Sequence, residues 1–235
     1  MAKILVTGAA GFLGSHLVDE LIKQGNSIFG VDNFCTGNDL NIAHLKENKN
    51  FRFSKSDISN GIPEDFVQEY DQIFHLASPA SPPRYLALPK ETMAVNTTAT
   101  QILLDHVQKT GGRMLFASTS EIYGDPLEHP QKETYWGNVN PIGPRSVYDE
   151  AKRFGESLLS LYSRENWANV AIIRIFNTYG PRLDPEDGRV VSSFVRDALK
   201  GKSLQIFGDG TQTRSFCYVS DLISGIISMM NSDLV

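Results

Sequence analysis

Apolar residues in this chain fall into short blocks, set between longer stretches in which they recur every three or four positions. The blocks cover residues 3–7 (KILVT), 27–32 (SIFGVD), 51–55 (FRFSK), 72–78 (QIFHLAS), 113–119 (RMLFAST) and 170–177 (VAIIRIFN). Runs of five to eight β-branched and aromatic residues read as strands. Between them, Leu17, Leu21 and Ile22, and later Ile102, Leu103 and Val107, repeat at helical spacing. Strand and helix in alternation predict an α/β fold: a Rossmann-like, doubly wound parallel sheet with helices on both faces. Sheets of this kind bind ligands outside the carboxyl ends of their strands. The Gly/Pro punctuation in YGDP, NPIGPR and YGPR falls there, after the fifth and sixth blocks. No repeat, low-complexity tract or linker divides the chain, so residues 1–235 are expected to form one domain.

The segment VTGAAGFLGSHLVDEL sets Gly8, Gly11 and Gly14 after the first strand and at the opening of a helix. Glycine permits a tight turn and a close backbone approach to a pyrophosphate, while the helix start, at Phe12 and Leu13, supplies amide donors. The second strand ends at Asp32, where a carboxylate can bind both hydroxyls of a ribose and repel a 2′-phosphate. This predicts NAD as the cofactor rather than NADP. Asn33, Phe34, Thr36 and Gly37 follow it and are expected along the same nucleoside. Asp57 and Ile58, in SDI, are placed to hold adenine, with turn capping the alternative for Asp57. Leu76 and Ser78, at the end of the fourth block, complete the expected cofactor wall.

On a helix, Tyr148 and Lys152 of SVYDEAK share a face, whereas Asp149 and Glu150 turn elsewhere. A phenol ordinarily ionises near pH 10, and an adjacent ammonium favours the phenolate. Thr119, ending the fifth block, is expected over the same sheet edge. Together they suit alcohol oxidation, with Tyr148 as base, Thr119 bonded to the reacting oxygen, and Lys152 tuning the phenol and binding ribose. Hydrophobic residues make up 41% of the chain and charged residues 21%, which excludes a disordered class. A net charge of −5 with scattered Lys and Arg argues against nucleic acid as the partner. Cys35 and Cys217 lie far apart without metal-ligand spacing, so neither a metal site nor a disulfide is expected and a reducing, cytoplasmic setting is. The chain has no apolar run of membrane-spanning length.

The glycine spacing, HLAS and YDEAK resemble the extended short-chain dehydrogenase/reductase family that acts on nucleotide sugars. Within it, HLASPASPPRY, the long block from STSEIYGDP to YDEAKR, RIFNTYGPR, DGRVVSSFV and GDGTQTRSFCYVSDL resemble the UDP-glucuronate decarboxylases, and the likeness runs from Lys3 to the end of the chain. This resemblance implies oxidation of UDP-glucuronate at carbon four, loss of CO2, and re-reduction to UDP-xylose. It implies active-site roles for Ser120 and Glu121, Glu121 handling a proton or positioning the ring near carbon five, against the alternative of an exposed glutamate opening a helix. Substrate contacts are implied at Arg84, Tyr85, Asn177 and Arg189. Arg214 is assigned to phosphate or ribose, with a surface ion pair the alternative. The resemblance also implies a homodimer, through the helices around Ile102–Val107 and Tyr148–Leu161, and substrate elements interleaved over about 177–235. Two departures stand out. Ala94, Val95 and Asn96 occupy a place where the family pattern reads Lys-Thr-Asn, leaving Lys90 or Arg84 as stand-ins. The chain also ends at MMNSDLV, before a segment expected to complete the substrate lobe, so a fragment or an open sugar pocket is expected. A nucleotide-sugar 4,6-dehydratase or 4-epimerase, or a non-catalytic NAD-binding protein, are the alternatives.

Overall fold

In the computed structural model, which describes residues 1–234, the six apolar blocks become β1 (Lys3–Thr7), β2 (Ser27–Asp32), β3 (Phe51–Lys55), β4 (Gln72–His75), β5 (Arg113–Thr119) and β6 (Asn169–Ile175). They form one parallel sheet in the order β3-β2-β1-β4-β5-β6. The helices are α1 (Phe12–Lys23), α2 (Pro82–Ala87), α3 (Pro89–Asn96), α4 (Thr98–Thr110), α5 (Ser146–Arg164), α6 (Val190–Leu199) and α7 (Val219–Met230). A small parallel pair, β7 (Asn177–Tyr179) and β8 (Phe216–Tyr218), stands apart from the main sheet.

The two-residue period of a strand sends alternate side chains to opposite faces, and both faces are filled. Ile4 and Val6 of β1 meet Leu17 and Leu21 of α1 and Val219, Ile223 and Ile226 of α7. Leu5, between them, meets Leu103 and Val107 of α4 and Leu159 of α5 on the other face. Each such side chain contributes about 1.5–3 kcal/mol on burial. The position of α7 changes the picture drawn from the sequence: residues 219–230, expected among the substrate elements, lie against the sheet. Their apolar residues recur at helical spacing and match the groove beside α1, so covering the sheet is what they do.

His75 pins the centre of the sheet. It is fully buried, its Nδ1 2.7 Å from the Thr7 hydroxyl and its Nε2 3.0 Å from the Val95 carbonyl. Because a carbonyl can only accept, Nε2 carries the proton and Nδ1 accepts from Thr7. Burial, helped by the Lys152 charge, pushes this imidazole down to about 3, so it stays neutral and ties β1, β4 and α3 together. Among the described residues, no helix is long and apolar enough to cross a membrane.

Candidate active site

Strand order reverses between β1 and β4, and the carboxyl ends of the strands open there on a cleft of about 850 Å³. Its first half is built from backbone. Gly8 turns at φ 73°, and a Cβ on it would stand 2.8 Å from the Ala77 nitrogen. A Cβ on Gly14 would run into the Gly8 carbonyl, so the turn and α1 pack only as glycines allow. Gly11 precedes α1 without any side-chain cap, and the first-turn amides of Phe12, Leu13 and Gly14 have no acceptor within the helix. All five residues line the cleft. Open amides, a positive helix end and no side chain in the way fit a pyrophosphate.

Asp32 ends β2 with its carboxylate fixed by the loops on either side, accepting from the Ala10 amide at 3.0 Å and the Phe34 amide at 2.8 Å. Burial pushes its pKa up and these amides pull it back. Gly37 makes this possible, since a Cβ there would come within 2.8 Å of the carboxylate. Asn33, Thr36, Gly37, Asp57, Ile58, Leu76 and Ser78 also line the cleft. Asp57 caps a turn, accepting from Ser59 N at 2.9 Å, and accepts from the Asn33 side chain at 3.1 Å, so its capping alternative is realised. Phe34, expected along the cofactor, is outside the lining. Its backbone sits at φ 60° and its ring packs 5.4 Å from Phe53 with the Lys55 ammonium above it. With its amide held by Asp32, the ring covers the end of β3 instead.

The second half of the cleft carries side chains that can react. Tyr148, in the first turn of α5, is 4% exposed and stacks on Tyr85 with ring centres 4.9 Å apart and planes within 4°. Tyr85, expected to touch substrate, lines the cleft and is also the wall that orients the phenol. Thr119 ends β5; its hydroxyl caps the following turn, accepting from Glu121 N at 3.2 Å, and neighbours the phenol. One turn along α5, the Lys152 Nζ donates to the Ala117 carbonyl at 2.6 Å and lies 4.7 Å over the Phe116 ring. Burial lowers Lys152 to about 7, the Glu156 carboxylate opposing it. Burial also pushes Tyr148 up to about 12, against the pull of Thr119 and Arg189. Burial is the largest influence on the phenol, and the Lys152 ammonium is turned to Ala117 with its Nζ 5.8 Å from the phenol ring centre.

Ser120 and Glu121 open the short turn after β5, and the half-exposed Glu121 carboxylate is paired with Arg145. Arg145 also stands 3.6 Å from Asp149. Asp149, expected to turn away, is buried, and one of its oxygens has no partner. Burial raises it to about 6. Neither residue was singled out in the sequence, although Arg145 and Asp149 sit four apart at the start of α5, which is the spacing of a helical ion pair. On the substrate side, Arg84, Asn177, Arg189 and Arg214 all line the cleft. Arg84 pairs with Asp184 at 2.8 Å, Asn177 donates to the Ser215 carbonyl at 3.2 Å, and Arg189 grips Asp187. Arg214 bonds only the neighbouring Thr213 carbonyl, so its ion-pair alternative is not realised among the described residues. Lys90 and Ala94 are absent from the cleft wall, whereas Arg84 is part of it. Arg182 and Asp187 line it without having been foreseen.

A glycine turn at the head of a parallel sheet, an acid at the end of β2 and a Tyr/Lys pair beside a threonine define a dinucleotide-binding type of site. The chain belongs to the NAD dependent epimerase/dehydratase family, whose model matches residues 4–234. It is 52% identical over 233 residues to UDP-glucuronic acid decarboxylase 1 of Arabidopsis thaliana, covering 99% of this chain and 53% of that protein. It is 49% identical over 232 residues to UDP-glucuronic acid decarboxylase 1 of Xenopus tropicalis, covering 99% and 54%. The chain thus spans about half the length of the curated relatives it matches. Its structure resembles UDP-glucuronic acid 4-epimerase from Bacillus cereus, solved with UDP-glucuronic acid and NAD, with a TM-score of 0.84 and 33% identity over 98% of this chain and 73% of that one.

Proposed function

We propose that this chain carries the NAD-binding and catalytic part of an enzyme that converts UDP-glucuronate to UDP-xylose and CO2. The observation that carries this reading is the meeting of Tyr148, Thr119 and Glu121 at one end of a cleft whose other end is the glycine turn and Asp32. NAD would be held by the amides of α1, by Asp32 on its ribose and by Lys152, and when bound supplies a reversible hydride acceptor. Tyr148 takes the proton of the carbon-four hydroxyl, and Thr119 bonds that oxygen. With carbon four a ketone, the carboxylate is β to a carbonyl, and CO2 leaves as the electron pair moves to the ketone oxygen. Glu121, once it has taken a proton from solvent, stands to deliver it to carbon five. Tyr148 returns its proton to the oxygen as carbon four is re-reduced, so the sugar loses CO2 and gains one proton overall. Arg189, Asn177 and Arg214 serve the nucleotide diphosphate, for which guanidinium forks are suited.

Supplied with NAD and UDP-glucuronate, the protein is expected to release CO2 and yield a pentose nucleotide. Loss of water from a nucleotide hexose, or inversion at carbon four with the carboxylate kept, would replace this reading with a dehydratase or an epimerase. Asp32→Ala is expected to weaken NAD binding by about 10- to 100-fold, because bonds from ribose hydroxyls to a charged acceptor are lost. It should also narrow the gap to NADP, and calorimetric titration with both nucleotides checks this; unchanged NAD affinity would place the ribose elsewhere. A homodimer is part of the proposal, supported on α5 by Phe154 and Leu161, which remain exposed, whereas on α4 Leu103, Leu104 and Val107 fill the core. A reducing, cytoplasmic setting is supported by the two free cysteines.

A further inference from the structure

The cleft is lined by several cations; Arg214 is assigned to the nucleotide diphosphate, and most of the others are already held by a partner that takes no part in the reaction. Lys152 is turned to the Ala117 carbonyl, Arg84 is held by Asp184, Arg182 by Asp19 and Arg189 by Asp187. Arg145 differs. It caps the N-terminus of α5, three residues before Tyr148, and its partner is Glu121, a group with its own task in the reaction. Both side chains of that pair are well exposed, at 50% and 37%. An ion pair in such a wet position is weak and readily exchanged. Asp149 is different again, buried 3.6 Å behind the guanidinium with one carboxylate oxygen unpartnered. It anchors Arg145 at the mouth of the cleft while Glu121 remains free to leave.

We propose that Arg145 reads the carboxylate of the sugar, and that its contact with Glu121 is the resting form of this site: the incoming carboxylate takes the guanidinium and releases Glu121 toward carbon five. Three carboxylates cannot share one guanidinium without strong mutual repulsion, and Asp149 is buried whereas Glu121 is exposed, so Glu121 is the group that gives way. Substrate binding and the freeing of the proton-handling residue become one event. A neutral hexose lacks the anion to displace Glu121, and so leaves it tied up. The inference rests on the decarboxylase reading and adds to it the residue that selects an acidic sugar.

The test uses NAD-loaded protein and titrates UDP-glucuronate, UDP-glucose and UDP into the wild type, Arg145→Gln, Arg145→Lys and Glu121→Gln, with thermal melts confirming that each variant is folded. Arg145→Gln is expected to lose about 10- to 100-fold in affinity for UDP-glucuronate, the scale of a charge-assisted bond, and about threefold or less for UDP-glucose and UDP. Arg145→Lys should recover part of the preference for the acid. Glu121→Gln should bind UDP-glucuronate at least as tightly as the wild type, since the competitor is gone, while CO2 release collapses. If the wild type releases CO2 and prefers the acid, yet Arg145→Gln keeps that preference or loses all three ligands equally, the assignment of Arg145 is overturned while the decarboxylase reading stands. A wild type with no preference for the acid and no CO2 release overturns the decarboxylase reading, and this inference with it.

Discussion

Tyr148→Phe is expected to lower CO2 release from UDP-glucuronate by about 10²- to 10⁴-fold, the usual span for removing a positioned acid–base group, while NAD affinity changes only a few-fold. The substitution deletes one oxygen and keeps the ring. The stack on Tyr85 survives, so neither the wall of the cleft nor the start of α5 has cause to move. What disappears is the one group beside Thr119 able to take the hydroxyl proton at the start and return it at the end. Because burial holds the phenol near 12, it is protonated at neutral pH, and the wild-type kcat/KM should climb with pH as the ionised fraction grows. In the variant that slope should vanish. Single-turnover measurement of CO2 release between pH 6 and 9, beside NAD titration of both proteins, checks each part. Full activity in the variant would remove Tyr148 from the reaction.

How much of this could be read in the chain follows from the range over which each feature acts. The six strands were legible because parallel strands packed on both faces are nearly continuous apolar runs, and their ends matched to within three residues. The glycine turn and Asp32 were legible because backbone needs and residue type coincide within one βαβ unit. The left-handed backbone of Phe34, two residues after Asp32, turns its ring toward Phe53, which no local pattern announces. The Glu121–Arg145 contact joins residues 24 positions apart across an irregular loop, and the burial of Asp149 depends on which side of α5 meets the body of the protein. Spacing says that Tyr148 and Lys152 share a face; it does not say that burial is the largest influence on each of them. Helix α7 carried a sheet-covering pattern, but its distance along the chain from the other sheet elements hid the match.

Lys152→Met should make the protein more stable and nearly inactive at once. The ammonium is fully buried, and burial has moved it from 10.5 to about 7, so keeping it charged in the folded state costs free energy at neutral pH. Methionine matches the length of the aliphatic stem and keeps its packing over Phe116. It leaves the Ala117 carbonyl without its donor, which offsets about 1 kcal/mol of the gain. The net expectation is about 1–3 kcal/mol of added stability at pH 7, by analogy with apolar replacement of buried charges. The pH dependence has a definite sign. Below about 7 the lysine is protonated in both folded and unfolded chains, and the full cost is present. Between about 7 and 10.5 the folded protein sheds the proton while the unfolded chain keeps it, so the wild type gains on the variant as pH rises. The raised tyrosines Tyr70, Tyr148 and Tyr162 are common to both proteins and cancel in the difference. Denaturant unfolding at pH 6, 7, 8 and 9 should therefore show the widest gap at pH 6 and a shrinking one above 7. A variant less stable than the wild type at pH 6 would mean that the ammonium is a net support of the fold, rather than a strained group kept at the site for what it does to ribose and phenol.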